Sequence, residues 1–444
     1  MSRIVIRAGG VLTPDGLLSD AGVIVSGGRI TQVAKNAELG RLPDDDAIDA
    51  SDRLIAPGFV NGHTHLYGML SHGITAETMV TEFSSFLEDF WWPYVENRVD
   101  HDLVRATSAY GMAELIDSGV TTFVDVLEAP NAIPGALEIE REAAEKAGLR
   151  AVLTFEACQR VSPENAELGF RENAEFVRAH NGKDALVHGM MSIHTLFTCD
   201  KSYVRRAKRL AAELGCDIHM HLSESVFEPD WSLEHYGKRP VELYDELGFL
   251  DERVLASQCV QVVPREMDVL AKRGVRAVHM PLSNCEVGGG VAPVSDMLSR
   301  GMLVGLGSDG YVNNFFEIMR GAFLIPKAHV QSTSVMPARD VYDMAAARGA
   351  AAIGMPDAGR IEPGCKADLI TIDLDTPTPL NEHNVYDQLV LFRNPQNVCD
   401  VMVAGRFLKR NHRLLTVDAA AAKAELRRRT QIFWTGKQEE TQHV

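Results

Sequence analysis

The chain has 444 residues, with 44 Lys and Arg against 61 Asp and Glu, a formal charge of −17. That balance excludes the clustered positive surface needed to grip nucleic-acid phosphates, and equally a polybasic contact with a membrane. At 45% hydrophobic and 24% charged residues, the composition is that of an ordinary globular protein whose core needs no covalent staples. No stretch approaches the roughly 18 apolar residues of a spanning helix. Arg3 and Arg7 flank the short N-terminal apolar run, so it does not read as a signal peptide. The cysteines, Cys158, Cys199, Cys216, Cys259, Cys285, Cys365 and Cys399, contain no Cys-x-x-Cys pair. Cys158, Cys216, Cys259 and Cys399 follow or sit within apolar runs. Reduced, buried thiols in a cytoplasmic protein are expected.

The first elements are short strands with turns. Ile4-Val5-Ile6 breaks at Gly9-Gly10, Ala21-Gly22-Val23-Ile24-Val25 enters the turn Ser26-Gly27-Gly28-Arg29, and Ile30-Thr31-Gln32-Val33 follows. The chain returns to this style near its other end, at Ala367 to Asp373 and at Val398 to Gly405. The pattern predicts a small β-sandwich domain built from both ends, residues 1–56 and 359–415, with a helical tail over 416–444.

Residues 57–358, between the two halves, alternate apolar strand-like runs with helical patterns. The runs are Phe59 to Tyr67, Val120 to Leu127, Arg150 to Cys158, Val187 to Thr198, Cys216 to Leu222, Val254 to Val262, Val275 to Met280 and Met302 to Ser308. Helical patterns at Ile139 to Ala147, Tyr203 to Leu214 and Met267 to Arg273 each stop at a glycine, Gly148, Gly215 and Gly274. Eight buried strands joined by helices predict an α/β protein with a (β/α)8 TIM barrel. A doubly wound open sheet shows the same alternation, so the choice falls to the chemistry at the strand ends.

Those ends are polar. The first run closes on Asn61-Gly62-His63-Thr64-His65, and the fourth carries Ser192-Ile193-His194. The fifth reads His219-Met220-His221-Leu222-Ser223-Glu224, the seventh reaches His279, and the eighth ends Gly307-Ser308-Asp309-Gly310. Histidines two apart on a strand face the same side and can share one ion. Three imidazoles and a carboxylate suit Zn²⁺ or Fe²⁺ with room left for water. His219 also lies on the inward face and is an alternative ligand to His221.

This pattern resembles the amidohydrolase superfamily, in the branch of methylthioadenosine/S-adenosylhomocysteine deaminases, guanine deaminases and triazine hydrolases. The resemblance spans nearly the whole chain. It rests on Pro57 to His65, His221-Leu222-Ser223-Glu224, Ser283-Asn284, Gly289-Gly290-Val291-Ala292-Pro293, Gly307-Ser308-Asp309-Gly310 and Gly359 to Leu369. It implies that His63, His65, His221 and Asp309 hold one divalent metal, Zn²⁺ or Fe²⁺, and that Asp309 takes a proton from water. It also implies that Glu224 is the general acid/base. The fourth run carries no lysine from Leu186 to Asp200, where binuclear relatives place a carboxylated one, so a single metal is expected. His194, His279 and Glu96 are candidate substrate-binding residues. Trp91 and Trp92 are candidates to cover a planar ligand, and the apolar stretch from Phe83 to Trp92 reads as either a lid or an interface.

Two departures stand out. Relatives show Ala-His-x-x-His at the end of strand six, the second His touching the hydrolytic water, but this chain reads Ser257-Gln258-Cys259-Val260-Gln261. Gln261 is therefore expected to orient water or substrate without moving a proton. Phe155 stands where S-adenosylhomocysteine deaminases place a carboxylate-binding arginine, which disfavours an amino-acid tail on the substrate. The leading expectation is a hydrolase releasing ammonia from a small amino-substituted heterocycle such as a purine, pterin or pyrimidine. Alternatives are a triazine hydrolase or amidase on the same site, or a non-catalytic metal-binding homologue. The expected assembly is a homo-oligomer.

Overall fold

The computed structural model describes residues 3–74, 80–182 and 185–441, with no side chains from 436 onward. Met1, Ser2 and residues 442–444, which belong to the predicted terminal segments, lie outside the described residues. A parallel sheet occupies the middle of the chain. Its strands are Phe59–Thr64, Val120–Leu127, Arg150–Phe155, Val187–Gly189 with Met191–Ile193, Ile218–Leu222, Val254–Gln258, Arg276–His279 and Val304–Leu306. The fourth strand is broken at Met190. Its first half pairs with strand three and its second half with strand five. Leu306 of strand eight pairs with Asn61 of strand one, which closes the ring. The alternation thus resolves as a barrel of eight strand positions. Helices Ala136–Ala147, Lys201–Leu214 and Pro264–Arg273 end at Gly148, Gly215 and Gly274, each at positive φ.

Strand one departs from simple alternation, and the departure builds the site. Asn61 pairs with Phe123 and Thr64 with Asp125, so three steps on one strand match two on the next. This bulge resets which face each side chain takes. Val60 joins an interior apolar cluster with Val124, Val126, Val152, Leu255, Val278 and Met280. Within the bulge, the His63 ring meets those of His219 and His221. Gly62 sits within the bulge, where a Cβ would come within 3.1 Å of the Val278 side chain.

The small domain draws on both ends. One hydrogen-bonded path runs through Arg413–Leu414, Arg406–Arg410, Val398–Val403 and Leu369–Asp373 to Asp46–Pro57, then to Ile4–Thr13, Ala21–Ser26 and Arg29–Lys35. The path curls on itself: Arg29 bridges to Lys366, and the Ala367 amide donates to the Gly28 carbonyl at 2.9 Å. Ile6, Val23, Val25, Ile55, Leu369 and Met402 are thereby enclosed between its two arms. Arg150 of barrel strand three donates to the carboxylate of Asp368 at 2.8 and 3.2 Å, a buried pair that pins the small domain to the barrel. The tail forms helix Ala419–Thr441, which packs on helix His101–Asp117. Trp434 of this helix donates to the Leu70 carbonyl at 2.8 Å and stacks on Phe90. Among the described residues no helix is long and apolar enough to cross a membrane. All seven cysteines are unpaired.

Asp125 of strand two secures the turn after His65, accepting the Leu66 amide at 2.8 Å. Its carboxyl is pushed up to about 6, chiefly by burial. Glu140, buried beside it, is raised well above the usual range by burial and by Asp125. Two carboxyls in one dry pocket are stable only while they share a proton. Folded pKa values above unfolded ones mean that the native state holds more protons, so this pair loses stability as pH rises from the ordinary carboxylate range through about 6. Glu140→Gln replaces the shared proton with a permanent donor. It is expected to leave the melting temperature near pH 5 unchanged and raise it at about pH 8, by on the order of 2 kcal/mol in stability. Equal destabilisation at both pH values in thermal unfolding would contradict the shared proton.

Candidate active site

His63 and His65 from strand one and His221 from strand five place ring nitrogens within 4.8 Å of one another. Asp309, just past strand eight, puts Oδ1 3.4 Å from His65 Nε2 and 3.9 Å from His63 Nε2. His63 is fully buried, and neither ring nitrogen has a hydrogen-bond partner. Burial, reinforced by His65, pushes its pKa well below the usual value and keeps it neutral. A buried imidazole with nothing to bond is costly, and a cation within this group removes that cost. The His65 ring is held from behind, Nδ1 lying 2.5 Å from the Val126 carbonyl, which leaves Nε2 facing the group. The donor set therefore fits a divalent metal of the zinc or ferrous type. His219 stacks on His63 at 5.1 Å between ring centroids, its Nδ1 3.0 Å from the Ser192 hydroxyl. It stands outside the three-histidine group.

Asp309 is held by donors on both oxygens. Gln258 Nε2 and Ser283 Oγ donate to Oδ2 at 2.7 and 2.8 Å, and the Gly310 amide donates to Oδ1 at 2.8 Å. Burial opposes its ionisation, but the three histidines and Gln258 outweigh that and hold the carboxyl below the usual carboxylate range. The strand ends around it are conformationally strained: Ser223, Gln258, Cys259 and Asp309 all adopt positive φ, at 49, 72, 50 and 60°.

Two residues named from the sequence lie away from the cavity, Gln261 because of that strain and His279 because of strand alternation. Strand six stops at Gln258 and turns so sharply that the Gln261 amide donates to the Ser223 carbonyl at 2.8 Å. The Gln261 side chain donates to the Gly289 carbonyl at 2.6 Å and lines no part of the cavity; Gln258 does. His279 is also outside the lining. Its neighbours Val278 and Met280 join the interior cluster, so alternation sends His279 to the other face. Burial alone lowers its pKa to about 3.

The cavity above the histidines has a volume of about 570 Å³. His65, His194, His221, Glu224, Asp309 and Glu96 line it, with Gln258 at one side. Phe83, Phe86, Leu87, Phe90, Trp91 and Trp92 form its apolar wall, so the stretch that read as lid or interface covers the site. His194 Nδ1 is 3.0 Å from the Thr198 hydroxyl. Glu228 steadies two loops by accepting the Ser223 amide at 2.6 Å and the Leu196 amide at 3.1 Å. Glu224 follows Ser223 into the cavity lining, and burial, then Asp309, raises its carboxyl well above the usual range. Glu128 and Glu156 also line the cavity. Sequence reasoning missed both, although each directly follows a strand, at Leu127 and Phe155. Arg160 is committed to this wall: it donates to Glu96 at 2.9 Å, to Glu128 at 2.6 and 2.9 Å and to Asn97 at 2.8 Å. Its guanidinium also lies over Trp92.

Residues 54–408 match the Amidohydrolase family. The chain belongs to that family. The amidohydrolase is 34% identical over 431 residues to the 5-methylthioadenosine/S-adenosylhomocysteine deaminase of Haloarcula marismortui, covering 95% of this chain and 96% of that one. It is 32% identical to the 5'-deoxyadenosine deaminase of Methanosarcina acetivorans, over 96% and 97% of the two chains. An adenosine deaminase from Xanthomonas campestris, solved with bound zinc, superimposes with a TM-score of 0.90 at 25% identity, covering 98% and 99%. If His63 and His221 are ligands, His63→Ala and His221→Ala will purify with metal content reduced severalfold, whereas His219→Ala will keep it. Elemental analysis of purified protein measures this directly, and metal loss in His219→Ala alone would exchange the roles of His219 and His221.

Proposed function

We propose that this amidohydrolase deaminates an adenine-type nucleoside with a neutral 5′ substituent, using one divalent metal, zinc. The observation that carries the reading is the opposition of two carboxyls in one cavity. Glu224 is driven toward its protonated form and Asp309 toward its ionised form. Carboxyls pushed apart in this way divide acid from base work at neutral pH. The similarity to adenosine-type deaminases, one of them with bound zinc, supports both substrate class and metal. Strand four supplies His194 and no lysine, which favours a single ion. The unpaired cysteines favour the reducing conditions of a cytoplasm.

A divalent ion held by His63, His65, His221 and Asp309 supplies the acidity that makes water nucleophilic at neutral pH. Glu224 gives its proton to the ring nitrogen beside the amino-bearing carbon, making that carbon electrophilic. Asp309, kept ionised by its histidine neighbours and Gln258, takes the proton from the attacking water. Asp309 passes that proton to the exocyclic amine, the carbon–nitrogen bond breaks to release ammonia, and the hydroxyl proton left on the tetrahedral carbon returns to Glu224 as the carbonyl forms. Gln258 cannot accept a proton, so its part is to hold Asp309 in place. The aromatic wall from Phe83 to Trp92 covers the heterocycle. Glu96, which accepts the Tyr67 hydroxyl at 3.0 Å, offers a buried acceptor for hydroxyl groups of the substrate. Arg160 is already bonded to three side chains and Phe155 is apolar, so this wall offers no guanidinium to an anionic tail.

Ammonia release from metal-quantified protein tests the reading. Adenosine, 5′-deoxyadenosine and 5′-methylthioadenosine are expected to turn over. S-adenosylhomocysteine should fall at least about tenfold lower in kcat/KM, as the loss of a charge-assisted contact implies. Silence on every adenine compound would overturn the proposal. Glu224→Gln should retain metal while kcat falls by roughly 10²–10⁴-fold. Because the protonated form works, the unmutated rate should decline as rising pH ionises Glu224. Gln258→Ala is expected to lower kcat far more than Gln261→Ala; the reverse order in steady-state kinetics would restore Gln261 to the site.

A further inference from the structure

Phe90 lines the active-site cavity, and its ring also lies 6.5 Å from that of Trp434, within 13° of parallel. It belongs to a π-helical turn, Phe86–Trp91, that supplies Phe86, Leu87 and Trp91 to the same apolar wall. Such turns are rare, and so short a helix gains little from its own hydrogen bonds, so packing decides where it sits. Part of that packing comes from the terminal helix, which follows the residues 54–408 that match the family. Trp434 Nε1 donates to the Leu70 carbonyl at 2.8 Å, which fixes the indole against Phe90. Arg98, two residues past Glu96, donates to the Phe433 carbonyl, and its guanidinium lies 4.2 Å from the centre of the buried Phe433 ring. Arg429 of the same helix pairs with Asp102 at 2.5 Å, anchoring it on helix His101–Asp117. The segment that covers the site is thus held from outside at Phe90 and again at Arg98.

We propose that Trp434 is a positioning residue, and that the terminal helix is a strap seating the aromatic wall over the substrate. The strap sets affinity and leaves the chemical step alone. Its contacts fall on the apolar wall and on the turn bearing Glu96, whereas His65 is held by the Val126 carbonyl and Asp309 by Gln258 and Ser283. A wall seated only part of the time raises the apparent dissociation constant by the inverse of the seated fraction. Each complex that does form then reacts as before. The choice of substrate for the kinetic comparison rests on the adenine-type reading proposed above; the contacts themselves do not.

Steady-state kinetics with 5′-deoxyadenosine and amide hydrogen exchange, on the full-length zinc-loaded chain and on Trp434→Ala, test the proposal. KM is expected to rise about tenfold, as loss of an aromatic pair and a hydrogen bond implies, with kcat and metal content within about twofold. Exchange should quicken in residues 83–92 and stay unchanged in barrel strand Val254–Gln258. Trp434→Phe keeps the stack without the Leu70 bond, so it should recover part of the KM. A merely structural tryptophan would lower kcat alone through loss of active protein, or change nothing, and either result overturns the strap. Loss of metal would overturn it too, by moving the effect to the turn behind His65. Should both variants fail to fold, native-state exchange of the unmutated chain in rising urea decides. Residues 83–92 and 426–435 must lose protection together, and independent opening overturns the proposal. A parent chain that releases no ammonia from 5′-deoxyadenosine would sink the adenine reading, while the exchange comparison with Trp434→Ala would still judge the strap.

Discussion

Three imidazoles and an aspartate packed together in a dry barrel mouth repel, strand or desolvate one another unless something binds them. Among these groups His63 has no hydrogen-bond partner at all, and Asp309 is drawn toward its charged form by its histidine neighbours. Their placement dictates much of the surrounding structure. Strand one is bulged so that His63 and His65 reach the same interior, and Asp125 secures the turn just beyond them. The Val126 carbonyl behind His65 holds that ring.

The cost of that arrangement is carried locally, in backbone conformations that ordinary residues avoid. Ser223, Gln258, Cys259 and Asp309 share the left-handed region at the ends of strands five, six and eight. Glu224 and Asp309 reach one cavity from the ends of strands five and eight. The cavity then separates their proton affinities, burial acting on Glu224, and the histidines and Gln258 on Asp309. One wall is apolar and braced from outside by Trp434 of the terminal helix, which bonds the Leu70 carbonyl and stacks on Phe90. The other is a lattice of Glu96, Glu128 and Arg160 whose charges answer one another. A planar, uncharged heterocycle with hydroxyl groups matches both walls.

Where the alternation of apolar runs was regular, the fold could be read directly. All eight barrel strands lie within the runs marked by apolar residues, and the glycines after three helices sit in the left-handed caps expected of them. His63, His65, His221, Glu224, Asp309, His194 and Glu96 all reach the cavity or the histidine group, because each lies at or beyond the carboxyl end of a strand or in a segment that covers that end. Gln261 and His279 fail for two different reasons. At Gln261 a left-handed turn beginning at Gln258 shortens the strand, and motif spacing does not show where a strand stops. At His279 the period-two alternation decides, and its phase depends on which neighbours face inward.

Residue order thus determined the family, the barrel, the small domain joined from both ends, and the residue types that the chemistry requires. These follow from local periodicity and from motif spacing, both properties of the chain as written. Only the tertiary structure decided which glutamine touches Asp309, that Glu128 and Glu156 reach the cavity, and that Arg160 is consumed by its own wall. Those are contacts between strand ends more than thirty residues apart, and they depend on bulges and turns that no local pattern encodes.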